Sequence, residues 1–181
     1  MSRAPVLLVV MGVSGTGKST VASYLADEFS FRYIEADDFH SDENRQLMAA
    51  GVALNGDQRT PWMNRVCREL DALCRERENC VLAYSGLRKA HRQRIRSLGF
   101  DTRFLYLQAD KSIIFTRMES RKGHFMPPGM LASQLQDMQD PRDEGDVTGV
   151  DVGESLPITL ARARSIAERL FSQAEPGSVD V

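Results

Sequence analysis

A basic surplus, a disulfide framework and a long apolar run are all missing from this 181-residue chain. Its 23 lysines and arginines are set against 25 aspartates and glutamates, a formal net charge of -2, whereas grip on a phosphodiester backbone usually needs an excess of cations. Nucleic acid is therefore not expected as the main partner. The three cysteines, Cys67, Cys74 and Cys80, are odd in number and form no C-x-x-C, which suggests neither a disulfide scaffold nor a thiolate zinc site. Cys67 and Cys74 fall on one face of a helical stretch and are expected to pack as small hydrophobes. No apolar run approaches the roughly 18 residues of a membrane span, so no membrane partner is expected. The short apolar run after Arg3 leads straight into a glycine-rich loop rather than a cleavage site. A reducing cytoplasmic setting is the expectation.

What is present is organised around Gly12-Val13-Ser14-Gly15-Thr16-Gly17-Lys18-Ser19, which fits G-x-x-x-x-G-K-[ST] at every required position. The apolar run Val6 to Val10 precedes it and helical spacing from Thr20 follows it, the strand, loop and helix context the motif requires. Glycines allow the backbone to curl with its N–H groups inward, so that donors and a helix N-terminus face one polyphosphate. Lys18 supplies a point charge for the outer phosphates, and Ser19 a hydroxyl for Mg2+. The remaining loop positions, Gly12, Ser14, Gly15, Thr16, Gly17 and Thr20, complete the expected ATP cradle.

Taken in order, strands are expected at Val6 to Met11, Phe31 to Ala36, Cys80 to Tyr84, Phe104 to Leu107 and Val147 to Val152. Helices are expected at about 18–29, from Ser41 to before Gly51, and at 61–78, 88–98, 111–120, 130–139 and 157–171. Pro61 reads as the opening residue of the third helix with Thr60 as its cap, and Leu54 to Thr60 as a polar loop. Strands alternate with helices and no repeat period appears, so the natural class is α/β, a parallel sheet covered by helices on both faces. One domain over residues 1–173 is expected, with a frayed tail at 174–181.

A phosphate loop does not say what is done with the triphosphate. No Asn-Lys-x-Asp element of guanine-specific switches occurs, and Asp110 reads as a helix cap rather than a metal-binding strand end. The acidic end of the second strand, Glu35-Ala36-Asp37-Asp38, is then the best partner for metal and acceptor. Phosphoryl transfer needs an in-line acceptor, neutralised charge and a carboxylate to receive the hydroxyl proton. Asp37 is positioned for that role; the competing reading makes Asp37 and Asp38 a cap for the next helix. Arg117 and Arg121, four apart, suit a lid that closes over the nucleotide, against a plainer reading as surface salt bridges. The cations of residues 88–103 read as a helix surface with one or two members turned toward an anionic ligand.

The combination resembles the small bacterial-type gluconokinases, relatives of shikimate and adenylate kinases. Besides the phosphate loop, the resemblance is carried by Asp37-Asp38-Phe39-His40 with Asn44, by the Asp57-Gln58-Arg59-Thr60-Pro61-Trp62 segment, by Ser85-Gly86-Leu87-Arg88-Lys89 with Arg92, by Arg121-Lys122-Gly123-His124-Phe125-Met126, and by Leu131-Ala132-Ser133-Gln134. It implies a P-loop nucleoside triphosphate hydrolase fold of the nucleoside-monophosphate-kinase type, with five parallel strands, a mobile lid at about 122–139 and an acceptor region at about 37–65. It also implies transfer of the γ-phosphate of ATP, with Mg2+, to the 6-hydroxyl of D-gluconate, and it is compatible with a homodimer.

Under this resemblance Asp37 deprotonates the acceptor, Lys18 and Arg121 attend the phosphates, and Arg117 lies against adenine. Arg59, His40, Ser85, Arg92 and His124 are the candidates for the sugar acid's carboxylate and hydroxyls, and Ser19 with Glu35, through water, for the metal. Three positions depart from the family pattern. Glu35 stands where Asp is usual, Ser41 replaces a proline, and Tyr84-Ser85-Gly86 replaces a Cys-Ser-Ala type segment, which brings extra bulk toward the expected pocket floor. The competing functions are a kinase of the same fold acting on shikimate or a nucleoside monophosphate, and a regulatory protein that binds ATP without catalysis.

Overall fold

Strand β1, Val6–Met11, has no polar side chain, and five of its six residues are buried. In the computed structural model, which describes residues 3–120, 127 and 129–172, this strand lies at the centre of a five-stranded sheet of order β2-β3-β1-β4-β5. The others are β2 (Arg32–Glu35), β3 (Cys80–Tyr84), β4 (Asp101–Gln108) and β5 (Val147–Asp151). Every pairing is parallel, as alternating strands and helices require. The strand period of two splits β1 between two cores. Leu7, Val9 and Met11 pack with Trp62, Met63 and Leu70 on one side, and Leu8 and Val10 with Val21, Leu25 and Ala163 on the other.

Helices α1 (Lys18–Phe29) and α7 (Leu156–Ser172) cover the second face, and α3 (Gly56–Arg75) with α4 (Lys89–Arg96) the first. Between β2 and α3 lie a 3-10 turn, Ala36–Phe39, and α2, Asp42–Ala49; α5 (Lys111–Ser120) and α6 (Met130–Asp137) follow β4. Cys67 and Cys80 are buried and Cys74 packs against the first core, all as free thiols. Among the described residues no helix is long and apolar enough to cross a membrane.

Two boundaries depart from the sequence expectation. The third helix opens at Gly56, not Pro61, because Asn55 and Gln58 form a reciprocal capping box that satisfies two otherwise orphaned donors. Pro61 therefore sits inside the helix, and the expected polar loop is its first turn. Thr60 caps nothing; its hydroxyl donates back to the Gly56 carbonyl at 2.9 Å. β4 also starts three residues before Phe104, since Asp101, Thr102 and Arg103 pair in register with Val6, Leu7 and Leu8. Asp101 and Arg103 neutralise each other in an ion pair at 2.7 Å.

Candidate active site

The carboxyl ends of β1, β2 and β3 come together at one edge of the sheet, where open α/β folds bind ligands. After β1 the chain turns through the glycine loop into α1, whose first turn has neither a side-chain cap nor an acidic residue. The positive end of that helix is thus left for an anion. Gly15 is demanded by the packing: at φ 85 it is left-handed, and a Cβ there would lie 2.7 Å from Met118 Cγ. Thr16 braces the loop by donating to the Val13 carbonyl at 2.8 Å, and Lys18 Nζ reaches the same carbonyl at 3.2 Å.

Two clefts flank this loop. The first, of about 540 Å³, is lined by Ser14, Lys18, Asp37, His40, Arg59 and Ser85, with Trp62, Leu87 and Met130 among its apolar walls. The second, of about 820 Å³, is lined by Gly15, Thr16, Gly17, Thr20, Arg117 and the start of α7. These volumes include the solvent at each mouth; the enclosed space is about 50 Å³ in the first cleft and about 370 Å³ in the second, and of the two the second falls in the range of ligand clefts, roughly 300–1,000 Å³. Ser14 and Lys18 on one side and Gly15 to Gly17 on the other make the phosphate loop the wall between them. Arg117 Nη2 donates to the carbonyls of Val152 (2.7 Å) and Glu154 (3.2 Å), which fixes its guanidinium on the wall of the second cleft.

Asp37 lies in the 3-10 turn after β2, and the turn is held through its own carbonyls. Trp62 Nε1 donates to Ala36 at 2.7 Å, Arg45 to Asp37 at 3.2 Å and Asp38 at 3.1 Å, and Arg65 Nε to Phe39 at 2.6 Å. These donors come from α2 and α3, so the carboxylate is aimed by two helices. Burial, opposed by Lys18 and reinforced by Glu35, pushes the Asp37 carboxyl up to about 6. His40 Nε2 lies 3.8 Å from Asp37 Oδ1, and the His40 ring stacks on Trp62 with centroids 4.4 Å apart. Burial and the neighbouring Arg45, Arg65 and Arg59 bring the imidazole down to about 4, so at neutral pH it is an uncharged hydrogen-bonding group.

Glu35 accepts from Ser19 Oγ at 2.5 Å and from Tyr33 Oη at 2.8 Å. This puts a carboxylate beside the phosphate-loop hydroxyl despite the Asp-to-Glu departure. Hard oxygen donors of this kind suit Mg2+, which keeps most of its waters and takes the rest from a carboxylate and phosphates. Among the described residues no cluster of three or more His, Cys, Asp or Glu could hold a metal by itself. Arg59 reaches the cleft from α3, pairs with Asp137 through Nη2, and keeps a buried Nη1 with no partner among the described residues.

Arg92, expected as a ligand of the sugar acid, lines neither cleft. Its side chain is wholly buried away from the cleft, with Nη1 on the Gly86 carbonyl at 2.5 Å and Nη2 on the Gln139 carbonyl at 2.9 Å. Nε and Nη2 also bind Glu144, at 3.1 and 2.5 Å. Three other arginines of the basic stretch are likewise engaged: Arg96 with Glu144 and Asp146, Arg88 with Asp137, and Arg103 with Asp101. Tyr84 does not form the pocket floor either. Its ring is 1% exposed and packs under Trp62 with centroids 5.5 Å apart. Gly86, at φ 65, meets a requirement of its own, because a Cβ there would fall 2.6 Å from Met11 Sδ. Arg121 and His124 lie outside the described residues.

Sequence reasoning gave no role to four groups now seen at the site: Trp62, Arg45 and Arg65, which hold the turn, and Gln134. The Gln134 side chain, on α6, accepts from the Ser14 amide of the phosphate loop at 2.6 Å. Trp62 and Gln134 were visible only as members of the segments that carry the resemblance; the two arginines carried no signal, because long cations on helices are usually solvated.

The family model described as an AAA domain matches residues 7–144. A probable gluconokinase of Mus musculus is 39% identical over 88% of this chain and 96% of its own length. The thermoresistant gluconokinase of Escherichia coli is 34% identical over 90% and 94%. The crystal structure of a gluconokinase from Sinorhizobium meliloti superposes with a TM-score of 0.81 at 35% identity, covering 96% of this chain and all of that one. These likenesses run through both the phosphate loop and the acceptor-side cleft, and the chain belongs to the gluconokinase family.

Proposed function

We propose that the chain is a gluconokinase, which transfers the γ-phosphate of ATP to the 6-hydroxyl of D-gluconate and yields 6-phosphogluconate and ADP for carbohydrate-acid catabolism in the cytoplasm. The observation that carries this reading is the single cleft in which Asp37, Lys18 and Arg59 meet beside the phosphate loop. Nucleotide binding alone requires neither a carboxylate pushed up to about 6 nor an arginine with a spare buried donor.

ATP then takes the second cleft with its base near Arg117, and its phosphates pass along the loop toward the first. Gluconate takes the first, its carboxylate on Arg59, whose planar fork matches a carboxylate. Its hydroxyls meet His40 and Ser85. The C6 hydroxyl faces Asp37. As the acceptor oxygen bonds to phosphorus, the bond from phosphorus to the ADP oxygen breaks and the hydroxyl proton passes to Asp37. An Asp37 whose proton affinity is raised by burial is a better acceptor for that proton than a solvated carboxylate. Lys18 stays on the phosphates and stabilises their charge. Ser19 and Glu35, the latter through water, would hold Mg2+, which supplies charge neutralisation on the transferring group. Residues about 37–65 form the acceptor region, and about 122–139 the lid.

The test is ADP formation with Mg2+ and a panel of acceptors: gluconate, shikimate, nucleoside monophosphates and no acceptor. ADP should form with gluconate and remain near background otherwise. Equal ADP with and without a sugar acid removes the proposal.

A further inference from the structure

Helix α6 touches both halves of the site. Gln134 accepts from the Ser14 amide in the phosphate loop, and three residues later Asp137 binds Arg59 Nη2 with one oxygen and lies 3.4 Å from Arg88 Nη2 with the other. Positions three apart share a helix face, so one turn of α6 spans from the nucleotide loop to the arginine of the acceptor cleft.

Arg59 is divided between two faces. Nη2 is held by Asp137, while Nη1 is buried without a partner among the described residues, on a residue that lines the cleft. Arg88 has the same character, with Nε buried and, among the described residues, unpartnered beside its own contact to Asp137. A guanidinium has five donors in a fixed plane, so fixing one edge with Asp137 fixes the direction of the other. The Asp137 carboxylate also offsets part of the charge of two adjacent arginines, which would otherwise repel each other in a half-buried setting.

We propose that Asp137 is a positioning residue that aims Arg59 at the acceptor's carboxylate and, through Gln134 on the same helix, couples acceptor binding to occupancy of the phosphate loop. This rests on the proposed use of Arg59 for the sugar acid. Filling the phosphate loop orders Ser14 and hence α6, which sets Arg59; filling the acceptor cleft fixes Arg59 and hence α6, which sets the loop. Such coupling is reciprocal by thermodynamic necessity.

The test is calorimetric titration of the full chain with gluconate, with and without the β,γ-imido analogue of ATP and Mg2+, and the converse titration of the analogue with and without gluconate. In the wild-type chain the analogue should tighten gluconate binding by about 5-fold or more, and gluconate should tighten the analogue by the same factor. Asp137→Asn and Gln134→Ala, altering opposite ends of one turn, should each bring both factors below about 2, and Asp137→Glu should recover part of the loss. Asp140→Asn, which removes an exposed partner of Arg142, should leave the factors unchanged. A wild-type factor near 1, or undiminished coupling in both Asp137→Asn and Gln134→Ala, overturns the proposal. Failure of gluconate to bind the wild-type chain in either state overturns the proposed function instead, and this inference falls with it.

Discussion

At the scale of single residues, Asp37 trades stability for reactivity. Its carboxyl is raised from 3.8 to about 6 in the fold, so the folded chain holds the proton more tightly than the unfolded one. The associated stabilisation is fully present below about pH 4 and is lost as pH rises through 6, which leaves a cost at neutral pH. Asp37→Asn should therefore raise the unfolding free energy at pH 7 by on the order of 1–3 kcal/mol. The gain should shrink toward pH 4, as read by denaturant melts at several pH values. The same substitution should lower kcat by about 10²-fold or more and leave affinity for an ATP analogue nearly unchanged. In the wild-type chain kcat/KM should climb through about pH 6 and level off above it, because only the ionised carboxylate can accept the proton. Arg59→Ala should raise the gluconate KM by about 30-fold or more, the loss of about 2 kcal/mol or more for an unpaired charged contact, with ATP affinity little altered.

At the scale of elements, α4 and the loop before β5 are joined by a buried ion-pair network, Arg92 and Arg96 on Glu144 with Arg96 also on Asp146. Burial alone would raise the Glu144 carboxyl, but the hydrogen bonds from Arg92 and Arg96 bring it below the usual carboxylate range. Arg92→Ala leaves that carboxylate with Arg96 alone and strips the Gly86 and Gln139 carbonyls of their donor, and should cost about 3 kcal/mol of stability, with the gluconate KM of the folded fraction unchanged; a ligand role for Arg92 would move KM instead. Composition hid this from the sequence, since a pairing between residues about fifty positions apart leaves no local pattern. α3 was misread for a different reason. Proline is favoured at the first helical position, and that preference outweighed the Asn55–Gln58 capping box, whose signature was present in the chain. Asn55→Ala should cost about 1 kcal/mol, measured by thermal melts.

At the scale of the whole molecule, the five parallel strands and the position of the phosphate loop were legible because they follow from continuous apolar strands, alternating elements and one motif whose flanks agree with it; the order of the strands in the sheet was not. The place of Asp37 in the cleft was legible as well, because it follows a strand at the ligand-binding edge. What was not legible is how the wall of the first cleft is held. Trp62 under His40, Arg45 and Arg65 on the turn carbonyls, and α6 reaching from Ser14 to Arg59 all depend on tertiary geometry. Sequence spacing fixes which residues share a helix face, but not which strand end that face meets.

The position of the new phosphoester tests the central claim most directly. With ATP, Mg2+ and gluconate, proton-coupled phosphorus NMR of the product should show one phosphomonoester resonance split as a triplet by the two C6 protons, formed in step with ADP. A doublet from a secondary carbon, or inorganic phosphate with no phosphoester, would contradict an alcohol held between Asp37 and the phosphate loop.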